Sequence, residues 1–306
     1  MSFIDCIKQN EIILMEGALG ERLKREYGID FDEQVAMAGL VYSEMGREAL
    51  SQLWNGYMDI AKRFKLPFIA TTPTRRANRE RVGKSVYTES IIKDNVAFLR
   101  NIQESSDIEM YMGGLMGCKG DAYTGEGALP EEEAYAFHKW QADCFAKAGV
   151  DFLYAGIMPV LSEAAGMARA MAVSKVPYII SFTIQEDGRL IDGTTISDAI
   201  EYIDGHTERQ PVCYMTNCVH PGIVYRALNQ PWNQNDTVRK RFLGIQANTS
   251  SLSYAELDGA DELKCSDPDE FALEMKRLRD ISDIKIFGGC CGTDNRHMES
   301  VAKVIT

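Results

Sequence analysis

The sequence predicts a single (β/α)8 barrel occupying all 306 residues. Three observations carry this. Eight short apolar runs alternate with longer helical patterns along the whole chain, the beat of strand-then-helix units. Most of the runs are continuously apolar rather than alternating, as parallel strands covered on both faces require. No proline-rich linker, low-complexity stretch or close repeat interrupts the chain, and barrels of this class often reach such a length as one domain. A doubly wound open sheet is the runner-up. It usually needs fewer units, and its G-x-G-x-x-G fingerprint is missing after the first run, where Glu16-Gly17-Ala18-Leu19-Gly20 stands instead.

The expected strands, in order, are residues 12–19, 68–73, 109–117, 151–159, 177–184, 211–219, 241–249 and 284–292. Each is apolar for several residues and carries Gly, Thr, Pro or Cys at or near its end. The expected helices are 46–65, 88–104, 130–148, 161–174, 197–202, 221–229, 267–281 and 295–304. Pro130 before Glu131-Glu132-Glu133 marks a helix start, with proline in the first turn and acids at the positive end of the dipole. The segments at Ser197 and Pro221 carry the weakest helical pattern. The glycines of 120–127 lack a strand-to-helix context and read as a loop tip.

With 33 basic and 45 acidic side chains the net charge is −12. This argues against nucleic acid or an anionic membrane as the main partner, since both need clustered Lys and Arg. No apolar run approaches the roughly 20 residues that span a bilayer, and the first ten residues lack a basic-then-apolar signal pattern. A cytoplasmic protein is expected. Eight cysteines, at 6, 118, 144, 213, 218, 265, 290 and 291, are too few for a disulfide scaffold in this length. Cys6, Cys144, Cys213 and Cys265 are expected to be small buried hydrophobes.

In a barrel the chemistry sits at the C-terminal ends of the strands. The sixth run ends Met215-Thr216-Asn217-Cys218 and the eighth ends Gly288-Gly289-Cys290-Cys291-Gly292, so three thiols fall on one face. Neighbouring strand residues point to opposite faces, so Cys290 and Cys291 can converge only where the strand stops being regular, which the flanking glycines allow. Three thiolates and one open position form the pattern of a catalytic zinc site. An inert apolar pair, or a redox-active Cys290–Cys291 disulfide that would expel a metal, are the alternatives; the C-x-x-C signature of zinc ribbons is absent.

From about residue 11 to the end, the chain resembles the homocysteine S-methyltransferase family, which includes betaine–homocysteine methyltransferase and the homocysteine-binding module of methionine synthase. The likeness rests on Gly288-Gly289-Cys290-Cys291-Gly292-Thr293 before a helix carrying His297, on Thr216-Asn217-Cys218, on residues 16–23 (Glu-Gly-Ala-Leu-Gly-Glu-Arg-Leu), on 71–78 (Thr-Thr-Pro-Thr-Arg-Arg-Ala-Asn), and on Ser181-Phe182-Thr183 with 190–193. The resemblance implies Zn2+ held by Cys218, Cys290 and Cys291, with Glu16, Gly17, Thr72 and Asn217 at the substrate. It also implies methyl transfer from a sulfonium, quaternary ammonium or corrinoid donor to a zinc-bound thiolate, homocysteine giving methionine. The expected partners are thus a small-molecule thiol and a methyl donor.

The chain departs from the family at strand four. Gly156 stands where an acidic residue commonly holds the substrate ammonium, and the first-strand Asp is replaced by Glu16. Glu16 alone, or Glu163 from the next helix, is expected to take over that contact; otherwise the acceptor is not an amino acid, and Gly156 frees volume for a different thiol or a bulkier donor. Glu16, Tyr154 and Phe182 are candidate contacts for a cationic donor. Arg75 and Arg76 either bind an anionic substrate group or form a solvated basic turn. None of His138, His206, His220 and His297 lies in an Asp-x-His-x-x-Gly corrinoid motif, which leaves a separate corrinoid protein as the way such a donor would be presented. A homo-oligomer is compatible with the sequence. The alternatives to homocysteine methylation are another thiol acceptor, a demethylase feeding a corrinoid partner, or a non-catalytic zinc- or thiol-binding barrel. A lysine-based barrel enzyme is disfavoured, because Lys285 lies at the wrong end of its strand.

Overall fold

The computed structural model describes residues 1–250 and 266–306, which leaves the expectation for Cys265 outside the described residues. Eight parallel strands close into a barrel in chain order. They are β1 (Ile13–Met15), β2 (Phe68–Thr71), β3 (Met110–Gly117), β4 (Phe152–Met158), β5 (Tyr178–Phe182), β6 (Cys213–Asn217), β7 (Phe242–Ala247) and β8 (Ile286–Gly289). β8 meets β1 with Ile13 opposite Ile286, and that pairing closes the ring.

Strand alternation sorts the apolar residues into two cores. Ile13, Met15, Ile69, Phe152, Tyr154 and Ile286 pack with others inside the barrel. Leu14, Phe68, Ala70, Leu153, Ala155 and Phe287 face the helices. Both sets are buried, so the strands lack an alternating pattern in the sequence, as a fully covered parallel sheet should. An N-terminal helix, α1 (Phe3–Gln9), closes the end of the barrel opposite the strand C-termini. Its Phe3 ring stacks on Phe152 with centroids 4.1 Å apart, and Lys285 Nζ donates to the carbonyls of Ile7 and Asn10. The strand-core lysine is therefore a tie at the closed end, far from the mouth.

The remaining helices are α2 (Gly20–Tyr27), α3 (Glu44–Phe64), α4 (Arg79–Lys84), α5 (Ser90–Ser105), α6 (Glu131–Ala148), α7 (Leu161–Val173), α8 (Ile196–His206), α9 (Pro221–Leu228), α10 (Asp236–Arg241), α11 (Pro268–Arg277) and α12 (Asn295–Ile305). Helix α8 is longer than its pattern suggested: Thr195 accepts the Asp198 amide and caps it. Helix α9 begins with Pro221 in its first turn and His220 as cap. Pro130 is the cap residue of α6 rather than its first turn, so the three glutamates alone occupy that turn. The short helices α1, α2, α4 and α10 were not evident from periodicity; six to eight residues are too few turns to show it.

Cys6 and Cys213 are buried as expected, whereas Cys144 is partly exposed on α6, contrary to the expectation of a core thiol. Burial pushes the thiols of Cys6 and Cys213 up to about 11 and about 12. Among the described residues no helix is long and apolar enough to cross a membrane.

Candidate metal centre

Asn217 is the last residue of β6 and points into the barrel, so Cys218 on a regular strand would face the helices. Instead the backbone at Cys218 enters the left-handed region at φ +54°. The Cys218 amide is tied to the Gln246 carbonyl at 3.0 Å and its carbonyl accepts from Asn248 Nδ2 at 3.0 Å. This turn redirects the sulfur to the mouth. A non-glycine residue with such a φ is uncommon and marks a conformation imposed by its surroundings.

Cys290 keeps the inward parity of Ile286, and its amide donates to the Ala247 carbonyl at 2.6 Å. The Cys290 carbonyl accepts both the amide and the hydroxyl of Thr293, at 3.1 and 2.7 Å. The chain reverses at Gly292, with φ +82°, and a Cβ there would collide with the side chain of Thr249. The Gly292 amide donates to Glu21 Oε2 at 2.6 Å. The reversal carries Cys291 to the same side as Cys290.

The three sulfurs of Cys218, Cys290 and Cys291 consequently lie within 4.8 Å of one another, and no other His, Cys, Asp or Glu group among the described residues is arranged to hold a metal. Cys218 and Cys290 are joined as a disulfide across Cα atoms 5.5 Å apart, while Cys291 is free and reaches solvent. The partner of Cys290 is thus Cys218 rather than its neighbour Cys291. Desolvation of its sulfur and the nearby Glu21 carboxylate push the Cys291 thiol up, against the pull of Arg75. A tetrahedral zinc with Zn–S near 2.3 Å would hold sulfurs about 3.8 Å apart, and the three sulfurs here lie within 4.8 Å of one another.

The residues proposed for the substrate sit deeper than the sulfurs. Glu16 is 2% exposed and both its oxygens are engaged. Oε1 accepts the Thr71 amide at 3.0 Å and hydroxyl at 2.6 Å, and Oε2 accepts Trp54 Nε1. Burial pushes its carboxyl up to about 7, partly offset by these donors. At Gly17 a Cβ would fall 2.6 Å from the Tyr57 hydroxyl, so the glycine admits that ring. Thr72 is buried, its hydroxyl 2.7 Å from that of Thr74 and accepting the Leu115 amide. Asn217 donates to the Tyr154 hydroxyl at 2.7 Å and to Gln246 at 2.8 Å, and accepts the Ile157 amide at 3.0 Å. It braces the ends of β4, β6 and β7 directly before Cys218.

Three expectations need correction. The space at Gly156 is not free, because a Cβ there would stand 2.8 Å from Leu115 Cδ1. Glu163 does not replace a substrate carboxylate. It is fully buried, and its oxygens accept the Lys119 and Leu129 amides and contact His138 Nε2, fastening the β3–α6 loop. Phe182 faces the helices and stacks on Tyr214 with centroids 5.6 Å apart, away from any donor at the mouth. Tyr154 lies inside the barrel below Asn217, fully buried.

Several contributors went unrecognised in the sequence. Gln246 is the lone long polar side chain in β7, and that break in an apolar run was the available signal. Glu21 gave none. His297 belongs to the supporting layer: Nδ1 contacts Asp294 at 2.8 Å and Nε2 the Ser266 carbonyl at 3.1 Å. Thr293 joins the mouth to the first loop by accepting the Ala18 amide at 2.9 Å.

Fold and site together define a parallel (β/α)8 barrel with a three-cysteine cluster at the C-terminal mouth. The chain belongs to the homocysteine S-methyltransferase family, whose model matches residues 13–305. It is 31% identical over 184 residues to the homocysteine S-methyltransferase YbgG of Bacillus subtilis, a match spanning 60% of this chain and 56% of that protein. It is 29% identical over 101 residues to the homocysteine S-methyltransferase of Escherichia coli, covering about a third of each. The crystal structure of the metallated homocysteine methyltransferase MmuM of Escherichia coli superposes with a TM-score of 0.75 at 18% identity, covering 98% of both chains. Its oxidized form gives 0.77 at 18% identity. At that identity the superposition speaks for the fold.

Proposed function

We propose that the protein is a zinc-dependent S-methyltransferase that transfers a methyl group from a sulfonium, quaternary ammonium or corrinoid-bound donor to a thiol, homocysteine being the acceptor and methionine the product. The observation that carries this is the convergence of Cys218, Cys290 and Cys291 at the barrel mouth, supported by family membership over residues 13–305. Zinc bound by three thiolates with a fourth position open would hold a substrate sulfur as the thiolate, the nucleophilic form.

The chain's own residues supply the rest. The left-handed turn at Cys218 and the reversal at Gly292 aim the ligands. Asn217 locks the strand end that carries the first ligand. Glu16 fixes the first loop through Thr71 and Trp54. Three free thiolates require a reducing compartment, which accords with a cytoplasmic enzyme.

A second reading keeps the zinc and changes the acceptor. It is favoured by the carboxylates themselves: Glu16 and Glu163 are fully engaged and Gly156 offers none, so the expected acidic partners for an amino-acid ammonium are all committed or missing. The test is thermal stabilisation of reduced, zinc-loaded protein. Ligand at about a hundred times its Kd should add about 2.7 kcal/mol. A melting temperature unmoved by homocysteine and raised by a thiol lacking the amino group would reject homocysteine as acceptor.

A further inference from the structure

At the same mouth of the barrel as the sulfur cluster, past the C-terminal ends of β2 and β3, lies a cavity of about 170 Å³ lined by Arg75, Arg76, Arg81, Lys119, Asn78 and Asp121 among others. Four cationic groups meet one carboxylate there. Asp121 is already occupied: it accepts the Tyr123 and Thr124 amides and the Thr124 hydroxyl. Lys119 makes a long contact of 4.0 Å to Glu80, which itself pairs with Lys84 at 2.6 Å, and its ammonium lies 5.4 Å from the Phe137 ring centroid. Arg81 donates to the Gln34 carbonyl. Among the described residues no carboxylate pairs with the guanidinium of Arg75 or Arg76. The charges repel one another, since Arg81 and Arg75, after burial, hold the Arg76 guanidinium below its ordinary value.

Such an arrangement costs free energy when empty and is relieved by an anion. It is also built rather than incidental. Gly117 at the end of β3 lets the Arg75 stem lie across the strand, and a Cβ there would stand 2.6 Å from Arg75 Cγ. Arg75, just past the end of β2, and Cys291, just past β8, lie at the same mouth of the ring, with only β1 between their strands. Guanidinium forks bind phosphate and carboxylate oxygens in pairs, with charge-assisted bonds about twice as strong as neutral ones.

We propose that this pocket binds an oxyanion carried by the methyl donor, a doubly charged phosphate being the best match to its charge, and that Arg75 and Arg76 are its specificity-determining contacts. Assignment to the donor rests on the methyltransferase reading; the affinity of the pocket for an anion does not. The acidic group would anchor the donor on the β2–β3 side of the mouth while its methyl-bearing atom faces the sulfurs.

The test is titration calorimetry of the reduced full-length protein with inorganic phosphate and, separately, with succinate, at an ionic strength held constant with chloride. Saturable binding of one anion per chain is expected, weakened about tenfold in both Arg76→Ala and Arg75→Gln, the loss of one charge-assisted contact. Tighter binding of succinate than of phosphate would name a dicarboxylate rather than a phosphate as the source. No saturable binding of either anion, or equal affinity in wild type and Arg76→Ala, overturns the proposal. Zinc content and the homocysteine-dependent melting shift of the same samples separate the two readings: phosphate binding without either would leave the pocket and remove the methyltransferase. Once a donor is known, Arg76→Ala should raise the KM for donor about tenfold and leave the KM for thiol unchanged; an unchanged donor KM refutes the assignment to the donor.

Discussion

Replacing Asn217 by alanine should loosen the metal centre from beneath. The side chain makes three hydrogen bonds, to the Tyr154 hydroxyl, Gln246 Oε1 and the Ile157 amide, at 2.7, 2.8 and 3.0 Å, and is 4% exposed. Each bond contributes about 1 kcal/mol net, and the Ile157 amide would be left without its partner, so a loss of about 3 to 4 kcal/mol is expected. In a chain of this length that lowers the melting temperature by roughly 5 °C. Because Cys218 follows directly, zinc affinity should fall as well, read as earlier loss of metal to a competing chelator. Tyr154→Phe removes only one of the three bonds and should cost about 1 kcal/mol. The assay is calorimetric unfolding of reduced protein beside chelator titration. An Asn217→Ala variant within about 0.5 kcal/mol of wild type would refute the brace, since a surface substitution does no more than that.

Other outcomes follow from the same contacts. Cys218→Ser and Cys290→Ser should each lose most bound zinc while keeping the barrel's circular dichroism; stoichiometric zinc in either variant, by mass spectrometry, removes that residue from the ligand set. Metal uptake should require reductant, because Cys218 and Cys290 are paired in the oxidised form. Burial raises Glu16 from 4.5 to about 7, so the folded state holds its proton more tightly than the unfolded state does. Its contribution, about 3 kcal/mol, is therefore fully present below about pH 4.5 and is lost as the pH rises through about 7. Urea unfolding of wild type and Glu16→Gln across that window should differ in slope; parallel curves contradict the assignment. Gly292→Ala places a Cβ against Thr249 at φ +82° and should destabilise by about 1 to 3 kcal/mol.

The barrel was legible because burial on both faces makes each strand an apolar run, while the covering helices carry one apolar stripe each. The cysteine pattern was legible too, since it sits where strand runs end. Side-chain commitments were not. Glu163 looked available in the sequence, yet α7 inserts it beneath the β3–α6 loop as the acceptor of two amides. Phe182 looked like a mouth residue, but its parity on β5 turns it toward Tyr214. The emptiness read at Gly156 vanished because Leu115 of the neighbouring strand occupies it.

The number and order of strand-helix units and the placing of three thiols at strand ends depend on local composition and periodicity, and are written in the chain. That the thiols meet depends on contacts between segments far apart in the chain. Regular strands would point Cys218 outward and separate Cys290 from Cys291; the exceptions at Cys218 and Gly292 are held by Gln246, Asn248 and Glu21, residues of other segments, together with Thr293 of the turn itself. The same holds for the basic pocket: Arg75, Arg81 and Lys119 share one cavity because β2 and β3 are neighbours in the closed ring.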